Sequence, residues 1–261
     1  MIIQNAVPYE ILLERLDEVI KRGIHPEIYF NAHTLDRCRD EDILHLGETL
    51  EKHGISFTFH APFMDLAPGG LDSKIKRATR ERLEQVLHLA ALIKPKVAVF
   101  HPGYDRWRYG EVQDLWIKGS LEMWIPLVKE AEKIGVTLAL ENVFEEDPET
   151  LQRLLEEINS VRFRFCFDTG HWLLFSKKEL EEWMERLGRW ISEIHIHDNN
   201  GEKDQHLPPG DGKFDFQRLF HILWAQKITP IYTVEVHQES ELLRSLETVK
   251  HYVEDFKKVE R

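Results

Sequence analysis

The chain has 261 residues and a formal net charge of −12, and 42% of its residues are hydrophobic. This length fits one α/β barrel, the apolar fraction suffices for a large core, and the negative charge gives no support to sequence-independent nucleic-acid binding. The two cysteines, Cys38 and Cys166, are too few for a disulfide framework. Because the N-terminus is charged where a signal peptide would be apolar, and no apolar run reaches the roughly 20 residues of a membrane span, we expect a soluble cytoplasmic protein.

Short apolar segments alternate with longer amphipathic segments along the whole sequence. The apolar segments predict strands near 2–7, 27–31, 55–60, 96–101, 136–141, 163–168, 191–197 and 230–236. The amphipathic segments predict helices over 8–22, 40–53, 73–93, 114–134, 148–159, 176–189, 215–226 and 239–257. Strand–helix units joined by short connections predict a parallel sheet closed into a (β/α)8 TIM barrel, with residues 1–261 forming a single domain.

An open, doubly wound sheet is the alternative, and the alternation of side chains within the strands favours the barrel. Phe163, Phe165 and Phe167 share one face, while the opposite face is small or polar and ends in Asp168. The bulky face suits an outer ring of helices. A closed barrel would gather the polar strand ends at one mouth, whereas an open sheet would spread them along an edge.

Most of the predicted strands end in a residue type that binds metal ions. The strand ends and the loops after them supply nine candidate ligands: His60, His101, Glu141, Asp168, His171, His195, Asp204, His206 and Glu235. Imidazole and carboxylate ligands without thiolate indicate Zn²⁺, Mn²⁺, Co²⁺ or Fe²⁺. Because a carboxylate can bridge two ions, nine ligands could hold one to three ions at the mouth of the barrel.

Each of these residues also has a plainer interpretation. A single histidine is more often a surface or hydrogen-bonded core residue than a ligand. Glu141 and Glu235 could pair with Arg164, Asp168 could cap a helix, and the loop 198–213 could simply be solvated. Taken together, these interpretations are less convincing, because they do not explain why metal-binding residue types recur at one strand end after another.

A cluster of basic and aromatic residues, Tyr104-Asp-Arg-Trp-Arg-Tyr109, follows the fourth predicted strand. Arg106 and Trp107 could hold a substrate phosphate or stack on a base, although a solvated loop anchored by the tryptophan is the interpretation that we favour. Both residues are retained as candidate substrate contacts. Phe63 and His197, which lie beside candidate ligands, are expected to line the same pocket.

Several of these motifs together point to a known family. They are His60-Ala-Pro-Phe63, His101-Pro-Gly103, Glu141-Asn142, Phe167-Asp-Thr-Gly-His171, His195-Ile-His-Asp-Asn199, Asp204-Gln-His206, Gly210-Asp-Gly212 and Glu235. The chain resembles the xylose isomerase-like TIM barrel superfamily, which contains sugar-phosphate isomerases and epimerases and the endonuclease IV repair enzymes (AP endonuclease family 2). The resemblance covers nearly the whole chain.

The two branches of this superfamily imply different metal centres. In the isomerase and epimerase branch, the resemblance implies one catalytic ion held by Glu141, Asp168, His195 and Glu235, with His171 touching the substrate. In the endonuclease branch, it implies a second ion on His60, His101 and Glu141 and a third on His171, Asp204 and His206. All nine positions match, but Asp211 stands where the endonucleases usually have Glu, and His197 stands where they have a polar amide.

Two reactions follow from these alternatives. In the favoured one, Glu141 and Glu235 exchange protons with a small sugar, keto-sugar or sugar phosphate through an enediolate, and a divalent ion (Zn²⁺, Mn²⁺ or Co²⁺) polarises the carbonyl. In the other, a cluster of two or three ions hydrolyses a phosphodiester in abasic DNA, so a nucleic-acid partner is expected only there. A sugar-binding barrel without turnover is a third and weaker alternative, and the oligomeric state is left open.

Overall fold

The computed structural model, which describes residues 2–258, contains a closed barrel of eight parallel strands in chain order. The prediction of a (β/α)8 TIM barrel is therefore confirmed, and the alternative of an open sheet is wrong. The strands are β1 (Ile3–Pro8), β2 (His25–Tyr29), β3 (Thr58–His60), β4 (Ala98–Phe100), β5 (Leu138–Glu141), β6 (Phe163–Asp168), β7 (Ile191–Ile196) and β8 (Ile231–Val234).

A ring of helices surrounds the barrel. They are α1 (Tyr9–Glu14), α2 (Leu16–Arg22), α3 (Ala32–Arg37), α4 (Asp40–Lys52), α5 (Ser73–Ile93), α6 (Arg106–Tyr109), α7 (Gln113–Ile134), α8 (Glu149–Ile158), α9 (Thr169–Phe175), α10 (Leu180–Leu187), α11 (Phe216–Ala225) and α12 (Glu239–Lys258). Within residues 2–258, no helix is long and apolar enough to cross a membrane.

The helices differ from the prediction in two ways. The predicted helix 8–22 is interrupted at Arg15 and forms α1 and α2. Short helices also form in connections that follow strands, where the sequence predicted none: α3, α6 and α9. The last of these matters for the site, because α9 carries one of the predicted metal ligands, His171.

The second strand lies earlier in the chain than the predicted segment 27–31. Asn31 falls outside β2 and is the N-cap of α3, where its side chain accepts a hydrogen bond from the backbone N–H of Thr34 at 2.9 Å. The shift places Glu27 in the middle of the strand, and its side chain is fully buried inside the barrel.

The predicted alternation of side chains separates two layers. The outward residues Phe163, Phe165 and Phe167 are fully buried in the main core, and Phe165 stacks on Trp183 of α10 with ring centroids 6.3 Å apart. A separate apolar cluster of smaller side chains lies on the inward face: Val97, Val99, Ala139 and Cys166. Above this cluster the same inward face presents the polar residues of the barrel mouth, because side chains two positions apart point the same way.

The long connection after β7 is organised around one buried carboxylate. Asp198 accepts backbone N–H groups from Asn199 (2.8 Å), Gly210 (3.1 Å), Gly212 (2.9 Å) and Phe214 (3.0 Å). Its own backbone pairs with Leu207 in an isolated antiparallel bridge. This arrangement folds residues 199–214 back over the barrel mouth.

Candidate metal centre at the barrel mouth

Glu141 lies at the centre of the polar residues that the strand ends bring together. Its carboxylate is 1% exposed and contacts four imidazoles: His60 Nε2 (3.3 Å), His101 Nε2 (3.2 Å), His171 Nδ1 (3.0 Å) and His195 Nδ1 (3.3 Å). Among the described residues, Arg164 is not an ion-pair partner of Glu141. The plainer interpretation of Glu141 as half of a structural arginine pair is therefore wrong.

Three carboxylates converge on one nitrogen of His195. The Nδ1 atom lies 3.3 Å from Glu141 Oε2, 3.2 Å from Glu235 Oε1 and 3.9 Å from Asp168 Oδ2. Within residues 2–258 this nitrogen is buried and has no hydrogen-bond partner, although carboxylate oxygens surround it. An unpaired imidazole nitrogen that faces three carboxylates fits a divalent cation, so the residues present suit a metal ion.

Further candidate ligands lie next to Glu141, Asp168, His195 and Glu235. His60, His101 and Glu141 place one donor atom each within 4.8 Å of one another, as do Asp168, His171 and His197. Asp204 Oδ2 lies 3.1 Å from His206 Nε2 and 3.6 Å from His171 Nε2. All nine predicted ligands therefore occupy one region of the mouth.

Asp168 has the contacts expected for both interpretations that the sequence presented as alternatives, a helix cap and a metal ligand. One oxygen, Oδ1, accepts the backbone N–H of His171 at 2.6 Å and caps α9, as the plainer interpretation predicted. The other oxygen, Oδ2, faces His195. Asn142 also fixes this position, because its side chain accepts the backbone N–H of Asp168 at 2.8 Å and donates to the Asp168 carbonyl at 3.0 Å.

The electrostatics of the mouth favour bound positive charge. Burial raises the pKa of Glu141, but His101 and His195 outweigh this effect and hold it well below its ordinary value. Burial likewise lowers the pKa of His60, but Glu141 and Glu27 raise it to about 9. His206 behaves in the same way, because Asp204 and Glu235 outweigh burial and raise its pKa to about 9. A bound divalent ion would supply the positive charge that protons otherwise supply.

We expect the metal-free protein to lose stability as the pH rises from 6.5 to about 9. In this window the folded state holds protons on His60 and His206 that the unfolded state, with histidine pKa 6.5, has released. Each unit of pKa difference contributes about 1.4 kcal/mol, present below the unfolded pKa and lost as the pH passes the folded pKa. Urea unfolding across this window checks the slope, and His60→Asn should make it shallower. A metal-free stability that rises with pH would contradict the assignment.

The predicted substrate contacts lie at different depths. Phe63 stacks on His101 with ring centroids 4.4 Å apart, beside the ligands. His197 is fully buried, where its Nε2 lies 3.0 Å from both oxygens of Asp168 and its ring stacks on His206 at 3.8 Å. It packs so closely on Gly170 that a Cβ there would lie 2.0 Å from the His197 ring. This location suits support of Asp168, and a substrate contact of His197 stays a prediction.

The basic and aromatic cluster forms the short helix α6 and lies further out. Arg106 pairs with Glu146 and stacks over Trp107, with its guanidinium carbon 4.3 Å from the ring. Trp107 itself is 69% exposed. Contacts of Arg106 and Trp107 with substrate stay predictions, and the Glu146 pair leaves less of the Arg106 charge available for a phosphate.

Several residues near the ligands escaped sequence reasoning. Glu27 contacts His195, and Glu193 accepts a hydrogen bond from Gln4 at 2.7 Å inside the barrel. His237, which the sequence did not single out, stacks on His206 at 4.2 Å. The only sequence signal for Glu27 and Glu193 was their position on the inward face of a strand, the face of the barrel that also carries candidate ligands. This position can be assigned only when the bounds of the strand are correct.

Comparisons with known proteins agree with this architecture. The family model for xylose isomerase-like TIM barrels (AP endonuclease 2) matches residues 27–256. The uncharacterized protein MJ1311 of Methanocaldococcus jannaschii is 27% identical over 228 residues, which are 82% of this chain and 75% of that protein.

Two solved structures share the fold over nearly their whole length. One is described as a D-tagatose 3-epimerase-like protein, with a TM-score of 0.87, 24% identity and full coverage of both chains. The other is the TTHB071 protein of Thermus thermophilus soaked with ZnCl₂, with a TM-score of 0.79, 24% identity and coverage of 98% and 99%. From the match to the family model, we conclude that this chain belongs to the xylose isomerase-like TIM barrel family.

Proposed function

We propose that this protein is a divalent-metal-dependent isomerase or epimerase of a small sugar or keto-sugar. The observation that carries the proposal is the placement of two glutamates around one point. Glu141 ends β5 and Glu235 follows β8, on well-separated strands of the closed barrel, yet their carboxylates lie 3.3 Å and 3.2 Å from the same nitrogen, His195 Nδ1. A substrate bound to an ion at this site would have both carboxylates close to it.

Glu141, Asp168, His195 and Glu235 would hold the ion, which would supply Lewis-acid polarisation of a substrate carbonyl. One glutamate would remove the proton from the carbon next to that carbonyl, and the C–H electron pair would delocalise onto the carbonyl oxygen. The other glutamate would return a proton to the opposite face of the same carbon, which inverts its configuration. Return of the proton to the neighbouring carbon would instead give aldose–ketose isomerisation.

The surroundings of the site favour an uncharged sugar. Phe63 lies beside the ligands and could shield one side of a bound ligand from water. Arg106 and Lys177 both pair with Glu146, so this carboxylate offsets one of their two positive charges. The solved structure described as a D-tagatose 3-epimerase-like protein, which shares the fold, is compatible with such a substrate class.

Hydrogen exchange with solvent tests this proposal directly. We expect the protein, loaded with Mn²⁺, Co²⁺ or Zn²⁺ and given a panel of ketoses in D₂O, to place deuterium at the carbon next to the carbonyl of one ketose. Glu235→Gln keeps the shape of the side chain but cannot accept the proton, so we expect exchange at least about 100-fold slower. Mass spectrometry and NMR measure the exchange. The absence of exchange with every ketose and every metal would overturn the proposal.

A second candidate, phosphodiester hydrolysis, has one observation in its favour. The mouth contains enough ligands for further ions, since His60 and His101 join Glu141, and His171 and His206 join Asp204. Metal analysis of the purified protein separates the two functions, because one ion per chain supports the sugar reaction and three ions support hydrolysis. Nicking of DNA with an abasic site at catalytic protein concentrations, without deuterium exchange into any sugar, would reverse the ranking.

A further inference from the structure

The buried carboxylate of Glu27 contacts His195, one of the proposed metal ligands. Glu27 lies in β2, a strand that supplies no ligand at its carboxyl end, and its side chain is fully buried. Glu27 Oε1 lies 3.1 Å from His195 Nε2. Among the described residues, His195 is the only ion-pair partner of Glu27, and the second oxygen of Glu27 has no hydrogen-bond partner.

The contact lies on the side of the His195 ring opposite the proposed ion. A neutral imidazole has one N–H and one nitrogen lone pair. If Nε2 donates its hydrogen to Glu27, the lone pair is on Nδ1, the nitrogen that faces Glu141, Asp168 and Glu235. The other tautomer would place a hydrogen between the ligands and would leave Glu27 without a donor.

We propose that Glu27 is a positioning residue that fixes the tautomer and ring orientation of His195 for metal binding through Nδ1. The inference rests on the proposed metal centre and adds a residue that acts through a ligand, without contact with substrate. A carboxylate that accepts the distal N–H also makes the imidazole a stronger electron donor. Loss of such a partner typically weakens metal binding about 10- to 100-fold.

Because Glu27 is fully buried, its carboxylate needs a partner inside the barrel. An ionised carboxylate without water is strongly disfavoured unless it is paired or hydrogen-bonded. The nearby amide and hydroxyl donors of Gln4, Thr58 and Thr233 all donate hydrogen bonds to a different carboxylate, that of Glu193. The His195 contact is thus the only hydrogen bond of the Glu27 carboxylate within residues 2–258, although the charge of Glu27 also raises the pKa of His60.

The same neighbourhood provides a matched control. Glu193 is as fully buried as Glu27 and lies in the same part of the barrel interior. It accepts hydrogen bonds from Gln4, Thr58 and Thr233, whereas Glu27 contacts the His195 ring. Glu193→Gln therefore removes a buried carboxylate from the same interior without removing the proposed positioning contact.

The first experiment compares metal affinity in the full-length chain and two variants. Competition with a chromophoric chelator measures the dissociation constant for Zn²⁺, and circular dichroism establishes that each variant is folded. We expect Glu27→Gln to bind Zn²⁺ about 10- to 100-fold more weakly and Glu193→Gln to stay within about threefold of the wild type. Wild-type affinity in a folded Glu27→Gln protein would overturn the inference. Equal losses in both variants would also overturn it, because they would indicate general damage to the interior.

A second experiment needs no variant and covers the case in which Glu27→Gln does not fold. ¹⁵N NMR of the Zn²⁺-loaded wild-type protein reports the state of each imidazole nitrogen. We expect His195 to bind zinc through Nδ1 and to keep an Nε2–H that exchanges slowly with solvent. Coordination through Nε2, or a rapidly exchanging Nε2–H, would overturn the inference. Neither experiment contains a sugar, so a failure of the deuterium-exchange assay would count against the proposed function alone.

Discussion

Glu141→Ala is expected to lower turnover at least about 10³-fold while leaving the barrel folded. The substitution removes a proposed proton carrier, a group that typically contributes 10² to 10⁴ in rate, and it also removes a carboxylate that contacts four imidazoles. The fold should survive, because a neutral imidazole can stay buried without a carboxylate partner. Turnover, bound metal and the circular dichroism spectrum are the three measurements.

Asp168→Ala provides a useful comparison for this experiment. It should abolish activity to a similar extent but should also lower stability by about 1 kcal/mol more, because Asp168 caps α9 through the backbone N–H of His171. Full turnover in either variant would show that the primary metal has been assigned to the wrong ligands. A stability loss that is equal in both variants would contradict the capping role.

Asp198→Ala is expected to have the largest effect on stability, about 3 kcal/mol. The carboxylate accepts backbone N–H groups from Asn199, Gly210, Gly212 and Phe214, and its removal leaves several of these donors without a partner. A Cβ at Gly212 would lie 2.3 Å from Asp198 Oδ1, so the loop and this side chain fit closely. Denaturant unfolding with linear extrapolation measures the loss.

The same substitution should disturb the mouth of the barrel. Asp204 and His206 belong to the loop that Asp198 organises, and His206 has a left-handed backbone conformation with φ of 49° that the folded loop must maintain. Asp198→Asn keeps one acceptor oxygen and should lose about half as much stability. A loss below about 1 kcal/mol in Asp198→Ala would show that other contacts hold the loop.

The barrel and the main ligands could be predicted because they depend on local patterns. Alternation in Phe163–Asp168 assigns each side chain to the inside or the outside from the sequence alone, and the structure follows that assignment. The recurrence of His, Asp and Glu at strand ends similarly needs only the rule that parallel strands end at one mouth. Glu141 and His195 therefore emerged as neighbours although the chain separates them widely.

The remaining features do not follow from alternation within a strand. Asn31 looked like the end of a strand because a strand end and the N-cap of the next helix have the same local sequence pattern. The role of Glu27 requires the register of β2 and a partner 168 positions along the chain. The pairing of Arg106 with Glu146 joins α6 to the connection after β5, and the sequence does not specify the path of either. For Glu27 and Arg106, a contact between distant segments decides what the local sequence leaves open.

The division between strands and loops at the mouth has an evolutionary consequence. Glu141, Asp168 and His195 belong to barrel strands, whereas Phe63 and Trp107 lie in the connections that follow β3 and β4. Insertions and replacements are tolerated in such connections far more readily than in the strands that they join. Descendants of one ancestral protein could thus acquire new small-molecule ligands by remodelling the rim, while the three strand residues of the proposed metal site are inherited unchanged.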